Sequence, residues 1–75
     1  MKNRLSIELM RSRGALIRLL GLTERRGYAP LFVSAAPSGP DVLLVELTVE
    51  SDRPLEQLTR QLAKLYDVER VEIHS

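Results

Sequence analysis

Apolar and polar residues alternate over Leu5-Ser6-Ile7-Glu8-Leu9. A period of two belongs to an extended chain with one face on a core, so this segment predicts a strand with Leu5, Ile7 and Leu9 inward. From Ala15 the period lengthens. Leu16, Leu19, Leu20 and Thr23 form one helical stripe, while Arg18, Glu24, Arg25 and Arg26 fall on or near the solvated side. Ser12 offers a hydroxyl to cap the start of this helix. Basic residues in its last turn suit the negative end of the helix dipole, and Gly27 is placed as a left-handed stop. Residues 31–36 (Leu-Phe-Val-Ser-Ala-Ala) predict a second, less regular strand, entered through Pro30, which suits an edge. Pro37-Ser38-Gly39-Pro40-Asp41 is a turn. The strand pattern is clearest over 42–50, with Leu43, Val45, Leu47 and Val49 on one face and Leu44, Glu46, Thr48 and Glu50 on the other. The turn makes these two strands a hairpin. Ser51-Asp52-Arg53-Pro54 signals a second helix through a capping side chain and an early proline. Leu55, Leu58, Leu62 and Leu65 are its stripe, Glu56 and Arg60 are a favourable pair four apart, and Tyr66-Asp67 ends it. Residues 68–73 close the chain as a last strand with Val71 and Ile73 in alternation.

The order is strand, helix, strand, strand, helix, strand. One apolar stripe per helix and one apolar face per strand are buried most economically by a four-stranded antiparallel sheet with both helices on one side. That is an α+β, ferredoxin-like βαββαβ sandwich. Right-handed crossovers set the expected strand order at 4-1-3-2, with the second and fourth strands as edges. With 75 residues, the chain is expected to be one domain, 1–75.

An apolar share of 44% is enough for one core and too high for a disordered segment. Eleven basic residues against ten acidic leave a net charge of +1, which argues against a dedicated nucleic-acid binder. The absence of cysteine removes disulfides, thiolate metal sites and thiol nucleophiles, and a single histidine removes a His-rich metal site. No apolar run approaches the about 18–20 residues of a membrane span. After Met1-Lys2-Asn3-Arg4 the apolar stretch is short and contains Glu8, unlike a secretory leader, so a cytoplasmic location is expected.

Candidate chemistry is sparse. Ser6, Ser12, Ser34, Ser38, Ser51 and Ser75 lack a histidine–carboxylate context unless His74, read as a solvated terminal residue, supplies one. Glu46 and Glu50 point the same way from one strand, as expected of a polar outer face. Arg25-Arg26 reads as a solvated helix end, and Tyr28 and Tyr66 as packing at the boundary between layers. The uncovered sheet face is expected to hold Ser6, Glu8, Phe32, Ser34, Leu44, Glu46, Thr48, Arg70 and Glu72. Phe32 stands there among carboxylates, unlike the aromatic cluster on which an RNA-binding sheet stacks bases. Phe32, Leu44 and the second-strand edge are candidate contacts for self-association or a partner. The first strand-to-helix junction, Met10-Arg11-Ser12-Arg13-Gly14-Ala15-Leu16, is the informative element. Its glycine admits either a close ligand or only a tight turn, and a helix start favours a carboxylate.

Gly14-Ala15-Leu16, Arg18, Gly21-Leu22 and Arg26-Gly27-Tyr28, followed by Leu55-Glu56-Gln57-Leu58, Gln61-Leu62, Lys64-Leu65, Asp67-Val68 and Val71, together resemble the ACT domain of acetolactate synthase (acetohydroxyacid synthase) small subunits. The likeness covers nearly the whole chain, and the length is like the short, single-domain isozyme II type. The resemblance implies a non-catalytic regulatory subunit of branched-chain amino-acid biosynthesis. Its partner would be a large catalytic subunit that carries thiamine diphosphate, magnesium and, optionally, FAD. It also implies homodimers through sheet edges and an amino-acid effector at the dimer interface, near Arg11, Ser12, Arg13, Gly14, Ala15 and Ala29. Arg11 and Ala29 stand where valine-sensing members carry asparagines, so weak or absent valine binding is expected. A free-standing ACT-type module acting on another enzyme is the alternative. An acylphosphatase of the same topology would need a phosphate loop with an arginine and a separate asparagine. Arg11 and Arg13 lie in a suitable loop, but the only asparagine is Asn3.

Overall fold

The computed structural model describes residues 1–74; Ser75, one of the serines considered above, lies outside the described residues. The elements are β1 (Lys2–Met10), α1 (Ala15–Arg25), β2 (Ala29–Pro37), β3 (Val42–Glu50), α2 (Leu55–Ala63) and β4 (Val68–His74). The sheet is antiparallel in the order β2-β3-β1-β4, which is 4-1-3-2 read from the other edge. β1 and β2 run longer than alternation alone marks, because pairing with β3 carries both past the ends of their apolar patterns.

The two central strands supply the floor of the core. Leu5, Ile7 and Leu9 of β1 and Val45, Leu47 and Val49 of β3 are buried, with Leu5 opposite Leu47 and Ile7 opposite Val45. Leu58 and Leu62 of α2 cover them, together with Ala15, Leu19 and Leu22 of α1. The α1 stripe is therefore rotated from the expected one. Leu16 and Leu20 are only half-buried, and the buried line runs through Ala15, Leu19, Leu22 and Thr23, whose hydroxyl donates to the Leu19 carbonyl at 2.8 Å. Tyr28 packs beneath the layers as expected, with its hydroxyl on the Pro54 carbonyl at 2.6 Å.

Each edge strand carries a register shift. In β2 it falls between Pro30 and Phe32, so Leu31 is an extra residue and stays about half exposed (49%). This accounts for the irregular pattern in the sequence. In β4, Glu8 pairs with Arg70 and Leu9 with Val68, so Glu69 is skipped. Ser51 does not cap α2. Its oxygen accepts the Arg53 N–H at 3.0 Å, its hydroxyl donates to the Gly27 carbonyl at 3.0 Å, and the helix starts after Pro54.

Leu47→Ala empties a fully buried position on the central strand. It is expected to cost about 2–5 kcal/mol, out of a total that typical per-residue values place at about 4–11 kcal/mol for this length. Leu31→Ala is expected to stay within about 0.5 kcal/mol. Urea denaturation of the two variants measures the contrast.

Candidate functional site

The junction between β1 and α1 is held by backbone before any side chain acts. The Met10 N–H donates to the Asp67 carbonyl at 2.7 Å, the Arg11 N–H to the Asp41 carbonyl at 2.9 Å, and the Ser12 N–H to the Met10 carbonyl at 2.8 Å. Gly14 then takes φ 73°, ψ 8° as the N-cap. That left-handed geometry strains any residue with a Cβ, and a Cβ there would stand 3.1 Å from Arg18 Nη1. The tight turn alone therefore requires this glycine.

Ser12 does not cap the helix. Its hydroxyl donates to Asp67 Oδ2 at 3.0 Å. The first turn of α1 has no acidic residue and no side-chain cap, so its dipole remains open to an anion. Arg18, expected on the solvated side, instead reaches the same carboxylate through Nη2 and through Nε at 3.2 Å. Tyr66 stays exposed rather than packing between layers. It accepts from Arg18 Nη2 at 3.2 Å, and its ring lies 5.3 Å from the guanidinium carbon. The Asp67 side chain is 2% exposed. Burial pushes its carboxyl up, but the bonds from Arg18 and Ser12 and the guanidinium charge outweigh this and hold it below the usual carboxylate range. The hydrogen bond to Asp67 holds Arg18 above its ordinary value. Asp67 Oδ1 is buried without a hydrogen-bond partner among the described residues. The sequence does carry a signal for this cluster, namely a carboxylate wedged between the core residues Leu65 and Val68.

Five of the six expected effector residues come together at this junction. Arg11 and Arg13 are exposed, Ser12 and Gly14 are half-buried, and Ala15 is buried. Ala29 is not with them. It starts β2 opposite Glu50, whereas the junction follows Met10, opposite Val42. Eight strand steps separate those ends, about 26 Å at 3.3 Å each. A pocket that uses both ends takes two chains.

The uncovered sheet face carries the expected residues in rows. Phe32, Thr48, Arg4 and His74 form one row; Ser34, Glu46, Ser6 and Glu72 the next; Ala36, Leu44, Glu8 and Arg70 the third. His74 is not simply solvated. Its Nε2 contacts Ser6 Oγ, while the Ser6 hydroxyl donates to Glu46 Oε2 at 2.7 Å. The serine proton is thus committed to the carboxylate, and the imidazole does not act as base toward that oxygen, as a nucleophilic triad requires. Among the described residues no group of three or more His, Asp or Glu could hold a metal ion. Among the described residues no helix is long and apolar enough to cross a membrane.

A family model described as ACT domain matches residues 11–71. The chain is 38% identical over 74 residues to the acetolactate synthase small subunit of Buchnera aphidicola subsp. Schizaphis graminum. It is 40% identical over 73 residues to the acetolactate synthase isozyme 3 small subunit of Escherichia coli. These matches cover 95% of this chain and 46% and 45% of the relatives, so the chain spans about half the length of the curated relatives it matches. Among solved structures it is similar to the acetolactate synthase small subunit from Thermotoga maritima, with TM-score 0.86 and 21% identity over 97% of this chain and 47% of that one. It is also similar to the ACT domain from GTP pyrophosphokinase of Chlorobium tepidum, with TM-score 0.83 and 14% identity over 99% and 97%. At such identities these structural likenesses show the fold.

Because the Asp67 carboxyl is held low in the folded chain, the unfolded chain binds more protons between the two values. Its contribution is complete above the unfolded carboxylate value, about 3.9, and is lost as pH falls through the lower native one. Asp67→Asn is therefore expected to be less stable than the natural sequence at neutral pH, with the gap in urea midpoint narrowing as the pH is taken down to about 2.

Proposed function

The chain belongs to the ACT-domain family, and from that premise we propose that it is a non-catalytic regulatory subunit of acetolactate synthase in branched-chain amino-acid biosynthesis. The observation that carries this reading is the 38–40% identity to acetolactate synthase small subunits across 95% of the chain. In this reading one ACT domain, 1–75, acts in the cytoplasm by docking on a larger catalytic subunit and raising its turnover. Thiamine diphosphate, magnesium and, where used, FAD reside on that partner. The commitment of the Ser6 proton to Glu46 supports a chain without chemistry of its own.

A homodimer through β2 completes the effector site. β2 holds no charged residue and is exposed along most of its length, whereas β4 is blunted by Glu69, Arg70 and Glu72. Antiparallel pairing of two β2 strands sets the start of one beside the end of the other. Ala29 of one copy then lies at the end of the sheet where the other copy's junction stands. The effector is an amino acid whose carboxylate faces the open start of α1.

The ammonium of that amino acid finds a poor site. Arg11 brings only donors and a like charge, Ser12 is already engaged by Asp67, and Ala29 brings no polar atom. An ammonium without an acceptor costs about 1–3 kcal/mol, so valine binds weakly or not at all.

Two measurements test the proposal. Mixed with an acetolactate synthase large subunit from the same source, the full chain is expected to co-purify and raise its turnover. Failure of both transfers the chain to the alternative of a free-standing ACT module acting on another enzyme. In calorimetry, Arg11→Asn with Ala29→Asn is expected to tighten valine binding about tenfold. A low-micromolar constant for the natural sequence would overturn the weak-binding claim.

A further inference from the structure

At the end of the sheet away from the junction, a cavity of about 390 Å³ opens where β1 begins and β4 ends, lined by Met1, Lys2, Asn3, Arg4, Thr48 and His74. Three of these side chains are cationic or become so on protonation, and none is a carboxylate. The carboxylates nearby have other roles. Glu46 takes the Ser6 proton, and Glu72 is bound by Arg70 at 2.8 Å. Glu50 faces Lys2 in the register, yet among the described residues neither Lys2 nor Arg4 has a carboxylate oxygen within 4.0 Å. At the other end of the same face, Arg70 is neutralised by both Glu72 and Glu8. Among the described residues Lys2 and Arg4 are thus cations without an ion-pair partner, at the opposite end of the face from the paired Arg70.

His74 gives this end a defined polarity. Ser6 has one proton and gives it to Glu46, so His74 Nε2 must carry the hydrogen that points at Ser6 Oγ. Nδ1 is then the ring atom left for a ligand. In the neutral ring it is a lone pair, and in the imidazolium it is a donor. Arg4 on β1 lies opposite the ring, Glu46 and Glu72 stand in the next row, and Lys2 and the Met1 ammonium share the cavity with it.

We propose that this cavity is an anion site, separate from the effector junction, that takes the phosphate or carboxylate group of a small metabolite between Lys2, Arg4 and His74, with Thr48 as a neutral donor. Charge-assisted bonds from the Arg4 guanidinium and the Lys2 ammonium supply the recognition. The site does not depend on which enzyme the chain regulates.

The test is an amide-resolved NMR titration of the full chain with sulfate and separately with acetate. Saturable shifts confined to the lining residues are expected. Arg4→Gln is expected to weaken them about tenfold. Lys2→Gln also weakens them, and Arg70→Gln leaves them unchanged. Saturation by sulfate alone assigns a phosphate-type ligand, and by acetate alone a carboxylate. Shifts that chloride reproduces at equal ionic strength, or that survive both Arg4→Gln and Lys2→Gln, overturn the site.

Discussion

Two strands must hide one face each under only two short helices, and everything else in this molecule follows from that. β1 and β3 place Leu5, Ile7, Leu9, Val45, Leu47 and Val49 in one layer, and a second layer from α1 and α2 closes over it. Among the described residues no element covers the reverse of the sheet. Most of its residues tolerate water, with serines, threonine, carboxylates and arginines laid in cross-strand rows, while Phe32 and Leu44 remain exposed among them. The edge strands contribute little to the core, so their sequences are free to specialise. β2 is neutral and smooth, and β4 is charged.

The buried carboxylate of Asp67 makes the junction a fixed object rather than a loose loop. One residue ties together three parts of the chain. Its carbonyl takes the end of β1, and its side chain takes both Ser12 before α1 and Arg18 within it. The arrangement leaves the start of α1 without a side-chain cap while holding it in place. That combination fits the proposed effector role, in which a ligand's carboxylate would meet a junction already ordered. It also engages the polar side chains that the ammonium of the proposed amino-acid effector would seek, so in that proposal the cluster that shapes the junction limits what it accepts.

Where periodicity is strong, the chain could be read directly. The alternation in 5–9 and 42–50 and the leucine stripe from Leu55 to Leu65 give the strands, the second helix and the topology, because each reports a single neighbour, the core. What could not be read involves contacts between residues distant in sequence. Arg18 lies on the side of α1 that a helical projection calls solvated, and only the arrival of Asp67, 49 positions later, gives it a partner. Ser12 has the right chemistry for a cap, but a buried carboxylate outcompetes the helix for its hydroxyl. His74 looked terminal, yet strand pairing brings it beside Ser6 across 68 positions. The buried line of α1 lies part of a turn from the leucine stripe because leucines outnumber the positions the core can take. Ala29 shows the opposite limit: it belongs with the junction only if a second chain is counted.

The rim formed by β2 is nine residues of unguarded backbone, the kind of template on which chains can stack without end. Three details keep it from doing so. Pro30 and Pro37 each remove an amide hydrogen near its extremities, and the extra residue at Leu31 breaks the regular ladder between them. Once two copies meet along this rim, both outer margins are β4 strands bristling with charge. In the proposed homodimer growth would stop at a pair, and a segment suited to adhesion would be spared from seeding a fibril.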